Sequence, residues 1–264
     1  FSVATAASPH SGALPSVGVV HTTLLAMTAP RSLAVLLCLL LPAIGYRVGG
    51  LGLWATYAVG YGLAAALAAY ALWQDGELRA ALTPRAGDAS FAVGGAAVLY
   101  FLLTAVVFYV LAPLQPMRIC TLDGAWVAPP QPRGLQAVTE YLRDKACLGY
   151  GRSAALRGLP RGVGIVLIAA LEEVAWRGAV QPMLSERLGT SRGWIAAAAL
   201  FGLAQLATGN VAVALLALPT GLLWAGLARY RGTLFPAILS HAVFSWFFFY
   251  HSSPLAMRLG ASGV

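Results

Sequence analysis

Two adjacent carboxylates and a guanidinium stand inside an otherwise apolar stretch that begins at Gly162. They belong to Glu172, Glu173 and Arg177. On insertion scales, one charge at the centre of a membrane helix costs roughly 2.5–3.5 kcal/mol. Three such charges in one segment predict that these side chains face a protein interior or a water-filled cavity rather than lipid.

The spacing of these three residues predicts a division of roles. Glu173 precedes Arg177 by four positions, which is the favourable order for an ion pair along one helix face. Glu172 is rotated from Glu173 by about 100° and faces elsewhere. One carboxylate is thus neutralised locally, while its neighbour stays available for chemistry. In the alternative interpretation, all three side chains form a buried network that only locks helices together.

Polar side chains at a matching depth occur on two later apolar segments. If each helix starts at a membrane face, Glu172 lies ten residues in, and Gln205 and His241 lie eleven and eight residues in from the opposite face. At about 1.5 Å per residue, all three are roughly 12–17 Å from a face. A lone His in such a helix is often only hydrogen-bonded to a neighbour. Because three polar groups match in depth, we predict one shared cavity, with Ser245 a helical turn beyond His241.

The composition indicates which solvent surrounds the elements that carry these residues. Of 264 residues, 59% are hydrophobic and 10% are charged, and the mean hydropathy is +0.76. Soluble domains carry about 25% charged residues, so this chain lacks the polar groups to cover a globular surface. Its net charge of +8 includes no basic run interleaved with aromatics, which fits anionic lipid headgroups better than nucleic acid. The sequence therefore predicts an all-α, polytopic transmembrane helical bundle, with membrane lipids as partners and no nucleic acid.

About seven apolar segments are candidates for crossing a bilayer, which takes roughly 20 helical residues. The first is either a retained helix or a signal peptide with a cleavage site at 43–45, and the polytopic remainder favours the retained helix. The predicted spans are 33–44, 51–73, 91–114, 162–184, 194–207, 210–229 and 233–250.

These spans divide the chain into five regions. One segment of the longest loop has an apolar helical face opposite two charges, which predicts a helix in the membrane interface or, as readily, a solvated loop helix. The apolar face and the two charges are Leu135, Val138, Leu142 and Ala146 against Arg143 and Asp144. The predicted regions are an N-terminal extension that is disordered or not native (1–30), N-terminal transmembrane helices (31–114), a loop with the interfacial helix (115–161), core helices (162–250) and a C-terminal tail (251–264).

Orientation follows from arginines, although two parts of the chain disagree. Four arginines lie on one side of the last four spans: Arg187, Arg192, Arg229 and Arg231. The positive-inside rule makes that side cytoplasmic, yet the loop 115–161 carries seven basic residues and would then face outward. Short loops indicate orientation more reliably than long ones, so we expect the side that carries these four arginines to be cytoplasmic. Nearly all basic residues are Arg, a coding bias that indicates a bacterial source and hence the inner membrane.

Three segments resemble the motifs of the CAAX-protease and bacteriocin-processing family of glutamic intramembrane proteases. The segment 172–177 (EEVAWR) matches the EExxxR motif of that family. The segment 201–205 (FGLAQ) stands where an FxxxH motif is expected, and 232–241 (GTLFPAILSH) is similar to the last motif helix, in which a small-residue turn and a proline precede a histidine. The resemblance covers about 160–250, a third of the chain.

The resemblance implies a role for each matching residue. Glu172 would be the general base that activates a water, and His241 would stabilise the oxyanion. Glu173 and Arg177 would orient and neutralise the site. A positioned base and a donor aimed at the developing oxyanion are both large contributions to hydrolysis.

Two positions depart from the family pattern. Gln205 stands where the second motif ends in histidine, and Ser245 stands where the last motif often has Asn or Asp. An amide can hold a water by hydrogen bonds but cannot accept and return a proton. The water-activating pair is therefore incomplete.

Three functions compete on these observations. The leading hypothesis is an intramembrane endopeptidase that cleaves a membrane-proximal segment of a membrane-anchored protein with Glu172 and water. The departures at Gln205 and Ser245 favour a non-catalytic scaffold or accessory subunit of a larger membrane complex. A transporter or channel is third, because the chain shows no inverted repeat or second charged helix. No cofactor is implied. Glu172, Glu173 and His241 could bind a metal, but the charged helix lacks an HExxH arrangement, so no metal is predicted.

Overall fold

The computed structural model of this protein describes residues 29–48, 50–106, 158–208 and 211–251. All regular structure in these ranges is helical, so the predicted all-α fold is confirmed. The N-terminal helices are α1 (Ala29–Val48), α2 (Gly50–Gln74), α3 (Leu78–Leu82) and α4 (Asp88–Ala105). The C-terminal helices are α5 (Gly158–Ala175), α6 (Gln181–Leu188), α7 (Thr190–Gln205), α8 (Val211–Arg231) and α9 (Phe235–Ser245).

Helices α5 and α6 form one continuous rod, joined by the π-helical turn Trp176–Val180. A second π-helical segment, Trp246–His251, prolongs α9, and a 3₁₀ turn follows α7. The helical rod that contains the span predicted at 162–184 therefore runs from Gly158 to Leu188. Single-turn π segments are rare in proteins, and those that occur are often found at functional sites. The segment Trp176–Val180 contains Arg177.

Two glycines with left-handed backbone end the helices on one side of the bundle. Gly189 has φ 82° between α6 and α7, and Gly232 has φ 65° after α8. Side chains with a Cβ rarely adopt this region, whereas glycine does so without steric cost. These two turns reverse the chain and set α7 and α9 beside the rod formed by α5 and α6.

The helices pack closely because small residues line their contacts. A Cβ at Gly193 of α7 would collide with the backbone of Ser185 on α6, and a Cβ at Gly178 would lie 3.3 Å from Leu72 of α2. Small residues at membrane-helix interfaces let two backbones approach. The rod thus contacts α2, α7 and α9 directly, and its polar residues lie in the centre of the described bundle.

Apolar side chains also cover much of the exterior. Several large ones are more than half exposed, among them Leu36, Val59, Val98, Phe101 and Leu215. By length and hydropathy, two described helices can cross a bilayer, Trp54–Gln74 and Asp88–Ala105, and Ala29–Gly45 is a shorter apolar helix. In their most apolar 18-residue windows only 33% and 28% of the residues are buried, whereas a core helix of a soluble protein is mostly buried. The count of seven spans stays a prediction.

Ion pairs tie helix ends together at the side where α2 ends and α4 begins. Asp88 accepts from Arg231 Nε at 2.6 Å, from Thr233 Oγ1 at 3.1 Å and from the backbone N–H of Arg85 at 2.8 Å. This Asp88 clamp fixes the start of α4 to the turn between α8 and α9.

A second ion cluster at this side joins three helices. Arg31 of α1 donates to Asp75 at 2.6 Å, just after α2, and to Glu186 of α6 at 2.8 Å. Arg31 is nearly buried, while its two acidic partners are exposed.

Three predictions fall outside the described residues. They are the N-terminal extension (1–28), the interfacial helix predicted in the loop 115–161, and the tail from residue 252 onward. The last four residues of that loop, 158–161, are described and form the start of α5.

Candidate active site

The ion pair predicted from the spacing of Glu173 and Arg177 is present. Glu173 Oε2 lies 3.1 Å from Arg177 Nε, and both side chains are fully buried. The guanidinium is not aligned for a directional hydrogen bond, since Glu173 Oε2 and Arg177 Nε and Nη1 find no hydrogen-bond partner in the described structure. The two groups therefore neutralise each other mainly through charge.

Helix α8 completes the surroundings of Arg177. Its Nη2 donates to the carbonyl of Gly221 at 3.4 Å, and its guanidinium carbon lies 5.4 Å from the ring centroid of Phe201. One turn further along the rod, Gln181 Nε2 donates to the carbonyl of Ala225 at 3.2 Å. Contacts with carbonyl oxygens and an aromatic face are favourable for a buried cation. Arg177 is thus held away from lipid, as predicted.

His241 lies between the two carboxylates of α5. Its Nδ1 is 3.0 Å from Glu173 Oε1, and its Nε2 is 4.0 Å from Glu172 Oε2. The imidazole stacks on the indole of Trp224, with ring centroids 3.6 Å apart and an interplanar angle of 18°. Glu173 therefore bridges His241 and Arg177, while Glu172 faces the other ring nitrogen.

Sequence reasoning missed two aromatic residues at this site, Trp224 and Tyr61. Tyr61 of α2 is 1% exposed, and its hydroxyl lies close enough to interact with the carboxylate of Glu172. The contact does not complete a hydrogen bond, because the Tyr61 hydroxyl has no hydrogen-bond partner in the described structure. A tyrosine inside an apolar helix was the available signal, since a buried hydroxyl normally has a partner.

The structure brings four of the six predicted site residues into one cluster: Glu172, Glu173, Arg177 and His241. The other two are also buried. Gln205 is the last residue of α7 and is 8% exposed, and Ser245 is the last residue of α9 and is 4% exposed. Their place in a cavity shared with Glu172 and His241 stays a prediction.

This arrangement has the chemical means to activate a water. A gap of 4.0 Å is too long for a direct hydrogen bond between Glu172 and His241, but one water can contact both atoms. Both side chains are nearly excluded from solvent, which strengthens electrostatic interactions inside the site. In the described ranges, no group of three or more His, Cys, Asp or Glu side chains is arranged to hold a metal ion.

Comparison with known protein families gives a match, and it covers the part of the chain that contains this cluster. Residues 159–247 match the family model described as type II CAAX prenyl endopeptidase Rce1-like. The matched segment runs from α5 into the π turn after α9 and contains all six predicted site residues. The resemblance found from the motifs is thereby confirmed, and it supports a protease of this type at the level of the family. Comparisons with curated proteins and with solved structures gave no match.

Proposed function

We propose that this chain, whose residues 159–247 carry an Rce1-like core, is an intramembrane glutamic endopeptidase. It hydrolyses a membrane-proximal peptide bond with a water activated by Glu172. The observation that carries the proposal is the unequal use of the two carboxylates. Glu173 is committed to Arg177 and His241 at 3.1 and 3.0 Å, while Glu172 lies 4.0 Å from His241 Nε2.

This division matches the needs of hydrolysis. A general base must reach the water and be free to take its proton, and positioned proton transfer contributes typically 10²–10⁴-fold. Glu172 meets both conditions, because none of the described residues places a cation as close to it as Arg177 is to Glu173. Arg177 compensates one of two adjacent buried carboxylates, which lowers the cost of keeping Glu172 in the interior.

The proposed setting is a bundle of about seven spans in a bacterial inner membrane. The apolar exterior and the two qualifying helices support it, as does the membrane-embedded character of Rce1-like proteins. Arg187, Arg192 and Arg229 are exposed at one side of the bundle, which favours that side as the cytoplasmic one. The partners are then membrane lipids and a membrane-anchored protein substrate, such as a prenylated CAAX protein.

A non-catalytic scaffold or accessory subunit of a membrane complex is the second candidate. It is favoured by Gln205 and Ser245, which replace residues that the family uses for proton transfer and oxyanion binding. In that case the buried ion pair of Glu173 and Arg177 serves only to hold α5 and its neighbours in place.

Two fluorogenic peptides in detergent micelles test the proposal, one with a prenylated C-terminal CAAX sequence and one with a single membrane-anchor helix. The wild type is expected to cleave at least one of them slowly, and Glu172→Gln is expected to abolish cleavage without loss of folded protein. Gln205→His restores the family residue and should raise turnover, up to the 10²–10⁴-fold that acid–base assistance contributes. If the wild type and Glu172→Gln behave alike on both peptides, the scaffold is the better account.

A further inference from the structure

The side chain of His241 is oriented by two neighbours in the candidate site, Glu173 and Trp224. Its Nδ1 contacts Glu173 at 3.0 Å, and Glu173 is itself held by Arg177 at 3.1 Å. The indole of Trp224 covers one face of the ring at 3.6 Å. The side chain is 8% exposed. A histidine that only filled space would not need a carboxylate, a guanidinium and a stacked ring to fix its plane.

The contact with Glu173 determines which ring nitrogen carries the proton. The Glu173 carboxylate pairs with Arg177 and accepts hydrogen bonds, which assigns the donor role in this contact to Nδ1 of His241. In the neutral imidazole, Nε2 then presents a lone pair. This nitrogen lies 4.0 Å from Glu172 Oε2. Neutral His241 is therefore set up to accept a proton at Nε2, and it cannot donate from that atom to an oxyanion.

We propose that His241 is a catalytic residue that carries the proton of the attacking water to the leaving amine, the task that Gln205 cannot perform. This inference rests on the proposed endopeptidase function. It differs from the role that the family resemblance implies for His241, which is to stabilise the oxyanion. The observation that carries it is the distance of 4.0 Å between Glu172 Oε2 and His241 Nε2, which one water can bridge.

The proposed sequence of transfers balances. Glu172 takes one proton from water as the water oxygen bonds to the scissile carbonyl carbon, and the carbonyl π pair moves onto its oxygen. Glu172 passes this proton to Nε2 of His241, and the ring becomes an imidazolium stabilised by Glu173. The carbonyl then re-forms while the C–N bond breaks, and Nε2 gives its proton to the departing nitrogen. One peptide bond and one water become an acid and an amine, and both residues return to their starting states.

The variant His241→Gln separates proton transfer from oxyanion binding. Glutamine keeps an N–H donor for the oxyanion but cannot accept a proton and release it again. Two versions of the cleaved CAAX or anchor peptide are compared, one with the amide bond and one with an aryl ester at the same position. The aryl oxide leaves without protonation, so only amide cleavage needs a proton carrier. We expect amide turnover to fall on the order of 10²–10⁴-fold and ester turnover to fall less than about tenfold.

A matched control is available in the same chain. His251 is exposed, in the π-helical segment after α9, and its ring lies 5.7 Å from that of Phe247. His251→Gln makes the same chemical change outside the site and should leave both rates at the wild-type level. Size-exclusion profile and melting temperature in detergent establish that each variant is folded.

The outcomes distinguish this inference from the proposed function. If His241→Gln lowers amide and ester turnover by the same factor, His241 acts on the oxyanion and the inference is overturned, while the endopeptidase stands. If the wild type cleaves neither version, the endopeptidase itself is overturned, and the inference with it.

If His241→Gln does not fold, a measurement on the wild type alone tests whether His241 carries the proton. The solvent deuterium isotope effect on turnover is expected to be larger for the amide than for the aryl ester, because proton delivery to the leaving nitrogen limits only amide cleavage. Equal isotope effects would exclude His241 as the limiting proton carrier.

Discussion

The Asp88 carboxylate and the Glu173 carboxylate are both buried, and both lie beside an arginine, but they are satisfied differently. Both oxygens of Asp88 accept well-placed hydrogen bonds, from Arg231, Thr233 and the backbone of Arg85. At the centre, Glu173 Oε2 and two nitrogens of Arg177 lie close together without hydrogen-bond geometry.

This difference is the one expected between an ion pair that only joins helices and an ion pair beside the proposed active site. Buried polar groups are normally hydrogen-bonded, and an exception in a native protein calls for an explanation. The Asp88 clamp needs none, since it closes the junction between α4, α8 and α9. In the central cluster, some hydrogen-bonding atoms of Glu173 and Arg177 have no partner. These atoms lie beside Glu172 and His241, where the polar groups of a water or a substrate could contact them. Incomplete satisfaction is therefore expected where a ligand completes the site.

Removing the cation from the central pair should have the largest effect on stability. Arg177→Leu leaves Glu173 buried and uncompensated, which typically costs roughly 3–5 kcal/mol. We expect a large loss of folded yield in detergent, measured by size-exclusion chromatography. Glu172→Gln is the matched control, because it changes the neighbouring residue and keeps the ion pair. Equal yields for the two variants would show that Arg177 has no structural role.

Weakening the Asp88 clamp should cost less. Asp88→Asn keeps the side-chain shape and an acceptor but removes the charge opposite Arg231, whose side chain is 19% exposed and can regain some solvation. Hydrogen bonds to charged groups are worth about 1.5–3 kcal/mol, which sets the expected loss. The melting temperature should fall, while turnover of the folded fraction should stay at the wild-type level. A fall in turnover at unchanged melting temperature would assign the clamp to the site and end the contrast.

Thr233→Val provides a graded comparison within the clamp. It removes one neutral donor from Asp88 while preserving side-chain volume, so the loss should be nearer 1 kcal/mol.

Removing the Tyr61 hydroxyl should separate activity from stability. Tyr61→Phe deletes an O–H group that has no hydrogen-bond partner in the described structure, so the melting temperature should stay level or rise slightly. The same hydroxyl lies beside Glu172 without completing a hydrogen bond to it, so turnover should fall by less than about tenfold, the worth of roughly one full hydrogen bond. A drop in melting temperature with unchanged turnover would make Tyr61 a core residue only.

Local spacing predicted one part of the site correctly. Glu173 and Arg177 pair because four positions bring side chains together on any helix, whatever surrounds it. The carboxylate that contacts His241 could not be predicted from local spacing, because the two residues lie on different helices. Matching depth placed His241 near Glu172, whereas the structure brings its Nδ1 closer to Glu173. Depth along a helix says nothing about the direction in which a side chain points.

The depth count itself assumed that every helix starts at the membrane face. Helix α9 begins at Phe235, directly after the buried residues Thr233 and Leu234, so its start already lies inside the protein. Tyr61 and Trp224 were missed for a related reason. Neutral aromatic side chains in apolar helices resemble core residues in sequence. The hydroxyl of Tyr61 indicates only that a polar group is near, and the tertiary contacts are needed to identify Glu172 and His241 as the neighbours of Tyr61 and Trp224.

The smallest effect is expected at the exposed end of the Arg31 cluster. Glu186 accepts from Arg31 at 2.8 Å, but its side chain is 59% exposed, and Arg31 keeps a second acidic partner in Asp75. Exposed ion pairs contribute about 0.2–1 kcal/mol and are screened by salt. Glu186→Gln should therefore lower the melting temperature slightly in low salt and not at all in about 1 M salt. Arg31→Gln is the counterpart, because it removes the nearly buried member and both pairs at once, and its larger loss should persist in high salt. If Glu186→Gln destabilised the protein as much as Asp88→Asn does, exposure would not be what distinguishes these ion pairs.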